Sequence, residues 1–476
     1  MAEDHERSTG APGSEETPLT RKPISRRDFL KVAGATGLTV GALGGLGGVL
    51  SACGSSGGGG ASASGSAVAT GRTIKVGFVT PKTGNLATFG QLDTFIVEQW
   101  KEAVKGGVQC GDGKTHPIDI IVKDSASDSA TAARVAGDLI TNNGVDIMMV
   151  ASTPDTVNPV ATAAESFGVP CVSNDCPWQP YFFGRQKNPA KPVPFKWTYH
   201  FFWGLEDVTA VFTGMWDQLP TNKLVGEMWP NDADGKGWAD AITGQPKMLK
   251  AAGYTFLDPG RFPVGAQDYT PQITKFKAAG CEILSGVFIP PDFVNFWKQS
   301  YQQGFQPVAA TVGKALLFPA EMEAIGPIGY GLTTECWWSP WHPFTSSLSG
   351  QTCQQLADAW TASNGKEWAQ PLLHYAVFEV VVDALKRATN VDDKQVIVDA
   401  IKNTTLDTIA GKVTWTAGEP LNPVPNVCRT VLVGGMWTKG TKYPFDLLLV
   451  DTSHAAEAPF NVTIPENGKL APISYA

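Results

Sequence analysis

Histidine is scarce in this 476-residue chain, with six in all. Five of them, His116, His200, His342, His374 and His454, are too widely separated for a metal-binding spacing. No H-E-x-x-H, G-x-S-x-G or Walker lysine loop occurs, and the cysteines form no C-x-x-C. No metal or other cofactor and no catalytic residue is therefore expected, although a triad built from distant positions would leave no local mark. Positive charge is also short. Lys plus Arg number 37 against 45 Asp plus Glu, a net charge of −8 that argues against a nucleic-acid partner. No apolar run reaches the roughly 18 to 20 residues of a membrane span without relying on glycine, which excludes a multi-pass membrane protein. The chain is not short of core-forming residues, however. It is 43% hydrophobic and only 17% charged, which excludes wholesale disorder.

What is present begins with an address. Residues 1–24 are polar. Ser25-Arg26-Arg27-Asp28-Phe29-Leu30-Lys31 then precedes a weakly apolar stretch from Val32 to Leu50. The pattern S-R-R-x-F-L-K matches the twin-arginine export signal. Seven glycines between Gly34 and Gly48 would weaken a core helix by about 1 kcal/mol each. Leu50-Ser51-Ala52-Cys53 resembles the bacterial lipobox, in which the cysteine carries the lipid. Residues 1–52 are expected to be a signal peptide with Arg26 and Arg27 at its centre. Residues 53–71 read as a Gly/Ser-rich tether that starts at a lipidated Cys53. The protein is expected to be exported and held on the outer face of the cytoplasmic membrane by that anchor. Seven cysteines follow Cys53, an odd number, so at least one would be a free thiol or pair elsewhere. The pairing stays open.

Beyond the tether, short apolar runs alternate with longer amphipathic segments. Strands are predicted at Ile74–Val79, Ile118–Lys123, Asp146–Val150 and Val169–Val172, then at Leu224–Met228, Ile283–Phe288 and Pro307–Val312. Ala132, Val135, Ala136, Leu139 and Ile140 share one helical face. Leu372, Leu373, Ala376, Val377, Val380, Val381, Ala384 and Leu385 form a second, broader stripe. Near-continuous apolar strands linked by helices predict parallel sheets covered on both faces. The fold class expected is α/β, with two doubly wound parallel-sheet lobes, one built before about Thr198 and one after about Glu206. The segment after Leu406 has further strand-like runs at Thr430–Val433 and Leu447–Val450 and is expected to complete the sheets.

Ligand chemistry in such sheets lies beyond the carboxyl ends of the strands. Ala151-Ser152-Thr153-Pro154-Asp155-Thr156 follows a strand and opens a helix, with Thr153 suited to the N-cap and Pro154 to the first turn. Its free N–H groups and the Ser152 and Thr156 hydroxyls suit a carboxylate, or the motif is a plain helix cap. The other strand-end loops carry Ser173, Asn174, Asp175 and Trp178, then Trp229, Asn231, Asp232 and Asp234, then Pro290, Pro291 and Asp292, and then Lys314. The segments that cross between lobes hold Tyr199, His200, Phe201, Phe202 and Trp203, and Glu335, Trp337 and Trp338. Aromatic walls with a few convergent polar groups describe a small-molecule pocket.

Several stretches together resemble the leucine/isoleucine/valine-binding family of type I periplasmic binding proteins, the extracytoplasmic receptors of ABC importers. They are Ile74-Lys75-Val76-Gly77-Phe78-Val79-Thr80-Pro81-Lys82-Thr83-Gly84, Lys123-Asp124 with its following helix, Gly168-Val169-Pro170, Asn231 to Gly237, Asp268-Tyr269-Thr270 through Gly280, and the helix around Tyr375–Arg387. The resemblance spans about Arg72 to Trp437. It implies two lobes joined by three crossovers, with residues 72–198 and 335–411 in lobe 1, 199–334 and 412–450 in lobe 2, and 451–476 as a tail. It also implies a ligand clamped between the lobes by hinge closure. Ser152, Thr153 and Thr156 would hold its carboxylate, and Ser173 and Asp175 the adjacent polar group. Trp229, Asp232 and Asp234 would cover it from the second lobe. Trp178, Tyr199 and Phe201 add aromatic surface. Lys314 falls where amino-acid binders often have an acid, and a lysine there would repel an ammonium unless Asp175 or Asp234 compensates. An aromatic or carboxylate-bearing relative of leucine is therefore expected. Expected partners are that ligand and a membrane ABC permease, with the protein itself a monomer. A receptor of the same fold that signals without transport, and an exported lipoprotein enzyme, are the competing readings.

Overall fold

The computed structural model describes residues 69–475. Arg26, Arg27, Cys53 and most of the tether lie outside the described residues. Those described belong to one unit built on two sheets. The first runs Val427–Cys428, Thr198–Phe201, Cys171–Asn174, Ile147–Ala151, Ile74–Thr80, Ile118–Asp124, with every neighbouring pair parallel. The second runs Phe445–Asp451, Val433–Lys439, Thr333–Cys336, Ala309–Gly313, Ile283–Val287, Leu224–Met228, Thr255–Leu257. Its first two strands are antiparallel to their neighbours and the rest are parallel. This is the two-lobed α/β architecture expected from the alternation of apolar runs and amphipathic segments.

The local reasons are visible in the sequence. All five residues of Ile147–Ala151 are buried, because helices cover both faces of a parallel sheet. Asp128 caps the helix Ser129–Thr141 by accepting the Thr131 amide, and Ala132, Val135, Ala136, Leu139 and Ile140 form its buried face. In a parallel sheet the loops after the strands gather at one end, and that is where the two lobes meet.

Three segments run differently from expectation. The stripe beginning at Leu372 is not one helix. A 3-10 turn, Gln370–His374, precedes the α-helix Tyr375–Arg387, and both ring nitrogens of His374 bond to carboxylates of other segments. The apolar run 430–433 is not one strand either. Val427–Cys428 pairs with Thr198–Phe201 in the first sheet and Val433–Lys439 belongs to the second, so residues 429–432 cross between lobes. Arg429 fixes that crossing through the buried carboxylate of Asp207. The boundaries expected at residues 199, 335 and 412 thus shift, because Thr198–Phe201 and Val427–Cys428 lie in the first sheet and Thr333–Cys336 in the second. The tail is bound to the second lobe: Ile464 and Ile473 are buried in its core, and the Tyr475 hydroxyl donates to the Pro307 carbonyl at 2.8 Å.

The seven described cysteines are free and buried. Among the described residues no helix is long and apolar enough to cross a membrane.

One glycine tests the register directly. Gly286, inside the strand Ile283–Val287, has φ of 142°, and a Cβ there would lie 2.0 Å from the Met228 carbonyl oxygen of the neighbouring strand. Gly286→Ala should lower unfolding free energy by about 2 kcal/mol or more in denaturant titration. Unchanged stability would contradict the register.

Candidate ligand-binding site

A narrow cavity lies between the lobes at the facing strand ends. The first lobe contributes Phe89, Thr153, Asp175 and Pro177, and the crossing segments Phe202, Trp203 and Trp337. The second lobe contributes Asp234, Trp238, Val287, Lys314, Leu317 and Glu335. The crossing aromatics form a continuous wall, with Phe202 against Trp203 at 5.0 Å and against Trp337 at 5.2 Å. Trp203 meets Trp238 edge-on at 6.4 Å. Phe89 reaches Phe318 of the second lobe at 5.0 Å.

Thr153 is the N-cap of the helix Pro154–Phe167, and Pro154 stands at its first position. The Thr153 side chain nevertheless makes no capping bond. Its hydroxyl is buried without a partner, as is that of Ser152. On the same cavity Trp203 Nε1, Trp238 Nε1 and Asp234 Oδ1 are also buried and unpartnered, and both amide atoms of Asn174, next to Asp175, share that state. A buried polar atom left unpaired costs about 1 to 3 kcal/mol, so such atoms normally have partners. Four of them on the lining of one cavity point to a molecule that supplies the missing bonds.

Charge at the site is concentrated on one cation and several acids. Lys314 has a left-handed backbone, φ 70°. Its Nζ donates to Asp234 Oδ2 at 2.7 Å and lies 3.7 Å from Asp232 Oδ2, while its backbone N–H donates to Glu335 Oε1 at 2.7 Å. Burial pulls this ammonium down, but Asp234, Asp232 and Asp155 outweigh burial and keep its affinity for the proton above the ordinary lysine value. Burial pushes Glu335 up to about 8, and burial opposed by Lys314 leaves Asp234 at about 7. On the first-lobe side Asp175 Oδ2 accepts from His374 Nε2 at 2.8 Å, and His374 Nδ1 is 2.8 Å from Asp93 Oδ1.

The residues singled out by sequence fall into two groups. Thr153, Asp175, Asp234 and Lys314 line the cavity. Ser152 precedes Thr153, while the Thr156 hydroxyl is spent on the Thr153 carbonyl at 3.3 Å. Asp232 caps the helix Ala233–Trp238 through the Gly235 amide and lies with Asp155 on a separate outer groove. The other five are engaged elsewhere. Ser173 bonds His200 Nδ1 at 2.9 Å, Trp178 Nε1 donates to Glu206 Oε1 at 2.9 Å, and Trp229 Nε1 to Gln245 Oε1 at 3.1 Å. Tyr199 packs edge-on against Trp415 at 5.0 Å, and Phe201 is part of the core. Phe202, Trp203, Glu335 and Trp337 were noted as aromatic or acidic crossing residues without being assigned to the ligand. The distinguishing signal is position: Tyr199 and Phe201 lie inside the strand Thr198–Phe201, and residues just past its end reach the cavity. Nothing in the sequence marks Phe89.

Two α/β lobes that enclose a polar, aromatic-walled cavity at their facing strand ends define a cleft-binding receptor. The profile of the periplasmic binding protein family matches residues 73–424, and the chain belongs to the type I periplasmic binding protein family. No curated protein matches it. Solved structures share the fold at low identity. A leucine-binding protein of Thermotoga maritima is 18% identical with a TM-score of 0.62, over 79% of this chain and 97% of that one. A solute-binding protein of an ABC transporter from Rhodopseudomonas palustris, in complex with 3,4-dihydroxybenzoic acid, is 19% identical with a TM-score of 0.61, over 83% and 99%. Another from R. palustris, in complex with 4-hydroxybenzoate, is 17% identical with a TM-score of 0.63, over 84% and 98%.

The buried acids dictate how stability depends on pH. Folded Glu335, Asp234 and Asp175 keep protons up to about pH 8, 7 and 6, whereas unfolded carboxyls lose them near 4. His374, held at about 10, keeps a proton that an unfolded histidine loses near 6.5. The folded chain therefore binds more protons than the unfolded chain across this range, and stability falls as pH rises. Asp207 acts oppositely, because hydrogen bonds from His454 and Arg429 outweigh its burial, but its contribution is lost only as pH falls below the ordinary carboxylate value. Burial holds His200 and His342 down to about 3, so they too act oppositely below about pH 6.5, and Glu227 and Glu367, pushed up to about 8 by burial, outweigh them. The melting temperature should be higher at pH 5 than at pH 8.5. A higher value at pH 8.5 would contradict this protonation pattern.

Proposed function

We propose that this protein is an exported, lipid-anchored solute receptor of an ABC importer and not an enzyme. In this reading Cys53 anchors it on the outer face of the cytoplasmic membrane and the Gly/Ser-rich tether holds it off the surface. It binds a small carboxylate-bearing ligand, aromatic or amino-acid-like, between its lobes. The observation that carries the reading is the set of unpartnered buried atoms on the cavity lining: Thr153 Oγ1, Trp203 Nε1, Trp238 Nε1 and Asp234 Oδ1.

The ligand's acid group docks where the helix Pro154–Phe167 begins. The Thr153 hydroxyl, free of any capping duty, supplies a hydrogen bond at the positive end of the helix dipole. The indole N–H groups of Trp203 and Trp238 can donate only, so they also call for an acceptor on the ligand. The aromatic wall takes the ligand's apolar body, and the free oxygen of Asp234 accepts from a donor at its other end. Lys314 is already bonded to Asp234 and therefore balances buried negative charge as well as facing the ligand. Because these groups come from both lobes, the ligand gains most of its contacts only when the lobes are together, and that difference shifts the population toward the closed form. The benzoate-binding and leucine-binding proteins of the same fold support a carboxylate-bearing ligand.

A thermal-shift panel of amino acids, hydroxybenzoates and aromatic amides tests the reading. At least one compound should raise the melting temperature and be recovered unchanged. Replacing Thr153 by Ala should weaken a carboxylate ligand roughly tenfold or more, since a hydrogen bond to a charged group is lost. An unaltered shift in this variant would remove the acid group from that helix.

A further inference from the structure

His374 connects the cavity to the interior of the first lobe. It ends the 3-10 turn Gln370–His374 and is completely buried. Each ring nitrogen meets a carboxylate oxygen at 2.8 Å, Nδ1 that of Asp93 and Nε2 that of Asp175. Asp93 also accepts the Thr80 hydroxyl. Asp93 is 1% exposed and Asp175 5%, so water does not screen either charge.

A neutral imidazole has one N–H and one lone pair. With a carboxylate on each side, one contact would then set a lone pair against an anionic oxygen. An imidazolium donates to both. Asp175 adopts φ 68°, a left-handed conformation that aspartate tolerates better than most residues, and it lines the cavity. The other charges that act on Asp175 are Asp93 and Lys314, and the Lys314 ammonium is bonded to Asp234. His374 is thus the cation in direct contact with Asp175.

We propose that His374 is a buried imidazolium that positions Asp175 as an ionised carboxylate of fixed orientation, ready to accept a hydrogen bond from a donor group on the ligand. The ligand part of this proposal rests on the binding reading above, and the protonation of the ring does not. His374 itself does not line the cavity, so it is a positioning residue that acts through Asp175. Its proton affinity agrees. Burial lowers it, but the two carboxylates outweigh burial and hold it at about 10. Burial, opposed by the bond from His374, leaves Asp175 at about 6. Near neutral pH the pair is therefore an ion pair. The arrangement also sets a selectivity: the ligand end that meets Asp175 must donate a hydrogen bond, and a second anionic group there would be rejected.

Nitrogen-15 NMR of the purified, histidine-labelled chain tests the ring, with His374 assigned by its loss in His374→Gln. Both nitrogens should carry protons, with no titration between pH 5.5 and 8. A lone-pair nitrogen at pH 7 would overturn the proposal. Asp175→Asn removes one of the two carboxylates, so the ring's titration should move down by a unit or more; an unmoved titration would also overturn it. This variant keeps the test decisive if His374→Gln does not fold. For the ligand part, 4-hydroxybenzoate and L-isoleucine serve as probes. The parent's pH profile for whichever probe binds carries the titrations of Asp234 and Glu335 in the same cavity and serves as the reference. His374→Gln should weaken binding roughly tenfold or more and add a further pH-dependence between pH 6.5 and 8.5, because Asp175 then lacks its cation. Weaker folding with an unchanged affinity and pH profile would reduce His374 to a structural role and overturn the proposal. If neither probe binds the parent, the binding reading fails for these compounds and the ring's protonation decides the proposal alone.

Discussion

Polar and charged groups withdrawn from water must find partners, and this constraint governs the seam between the two lobes. Asp93, Asp175, Asp234, Glu335, Lys314 and His374 are all nearly or fully buried. Lys314 and His374 each bond to carboxylates, Lys314 to Asp234 and His374 to both Asp93 and Asp175. Removing either cation would strand buried anions, whose desolvation costs several kcal/mol each when unpaired. The two faces that meet at the seam are therefore each fixed by directional bonds within their own lobe. Thr153, Trp203, Trp238 and Asp234 keep polar atoms without a partner, and a ligand can bond to them.

The fold makes such a seam possible. Parallel strands end together, so loops distant in sequence converge on one surface of each lobe. The crossing segments then bring aromatic residues to the place where the two surfaces meet. Phe202 and Trp203 follow a strand of the first sheet and Trp337 follows one of the second, and all three are buried in a single apolar cluster. Glycine permits the close approach of the lobes at their rim. A Cβ on Gly237 of the second lobe would lie 2.9 Å from Pro180 Cβ of the first. Asp155 adds a polar contact there, accepting the Ala233 amide across the seam at 3.4 Å.

Much of this architecture was legible in the sequence, and the reasons are physical. The strand Ile147–Ala151 is a continuous apolar run because both faces of a parallel sheet are covered, and the run itself carries the signal. Thr153-Pro154 marks a helix start through cap chemistry that needs no tertiary information. The crossing at residues 429–432 was not legible as such, because a chain that leaves one sheet and joins another keeps the apolar character of both. Its anchor, Asp207, lies 222 residues from Arg429. His374 left no local mark for the same reason. Its partners stand 281 and 199 residues away, and on the helix stripe it looks like any residue between Leu373 and Tyr375. Among the cavity residues, those at strand ends with polar side chains stood out, as Asp175, Asp234 and Lys314 did. Phe89, Val287 and Leu317 did not, because an apolar side chain facing a cavity reads the same as one facing the core.

The most direct measurement is a high-resolution crystal structure of the protein grown with a compound that raises its melting temperature. The account predicts that compound between the lobes, its acid group within hydrogen-bond distance of Thr153 Oγ1, and the indole nitrogens of Trp203 and Trp238 or Asp234 Oδ1 bonded to it. A structure in which the compound sits elsewhere, with only ordered water on those four atoms, would contradict it.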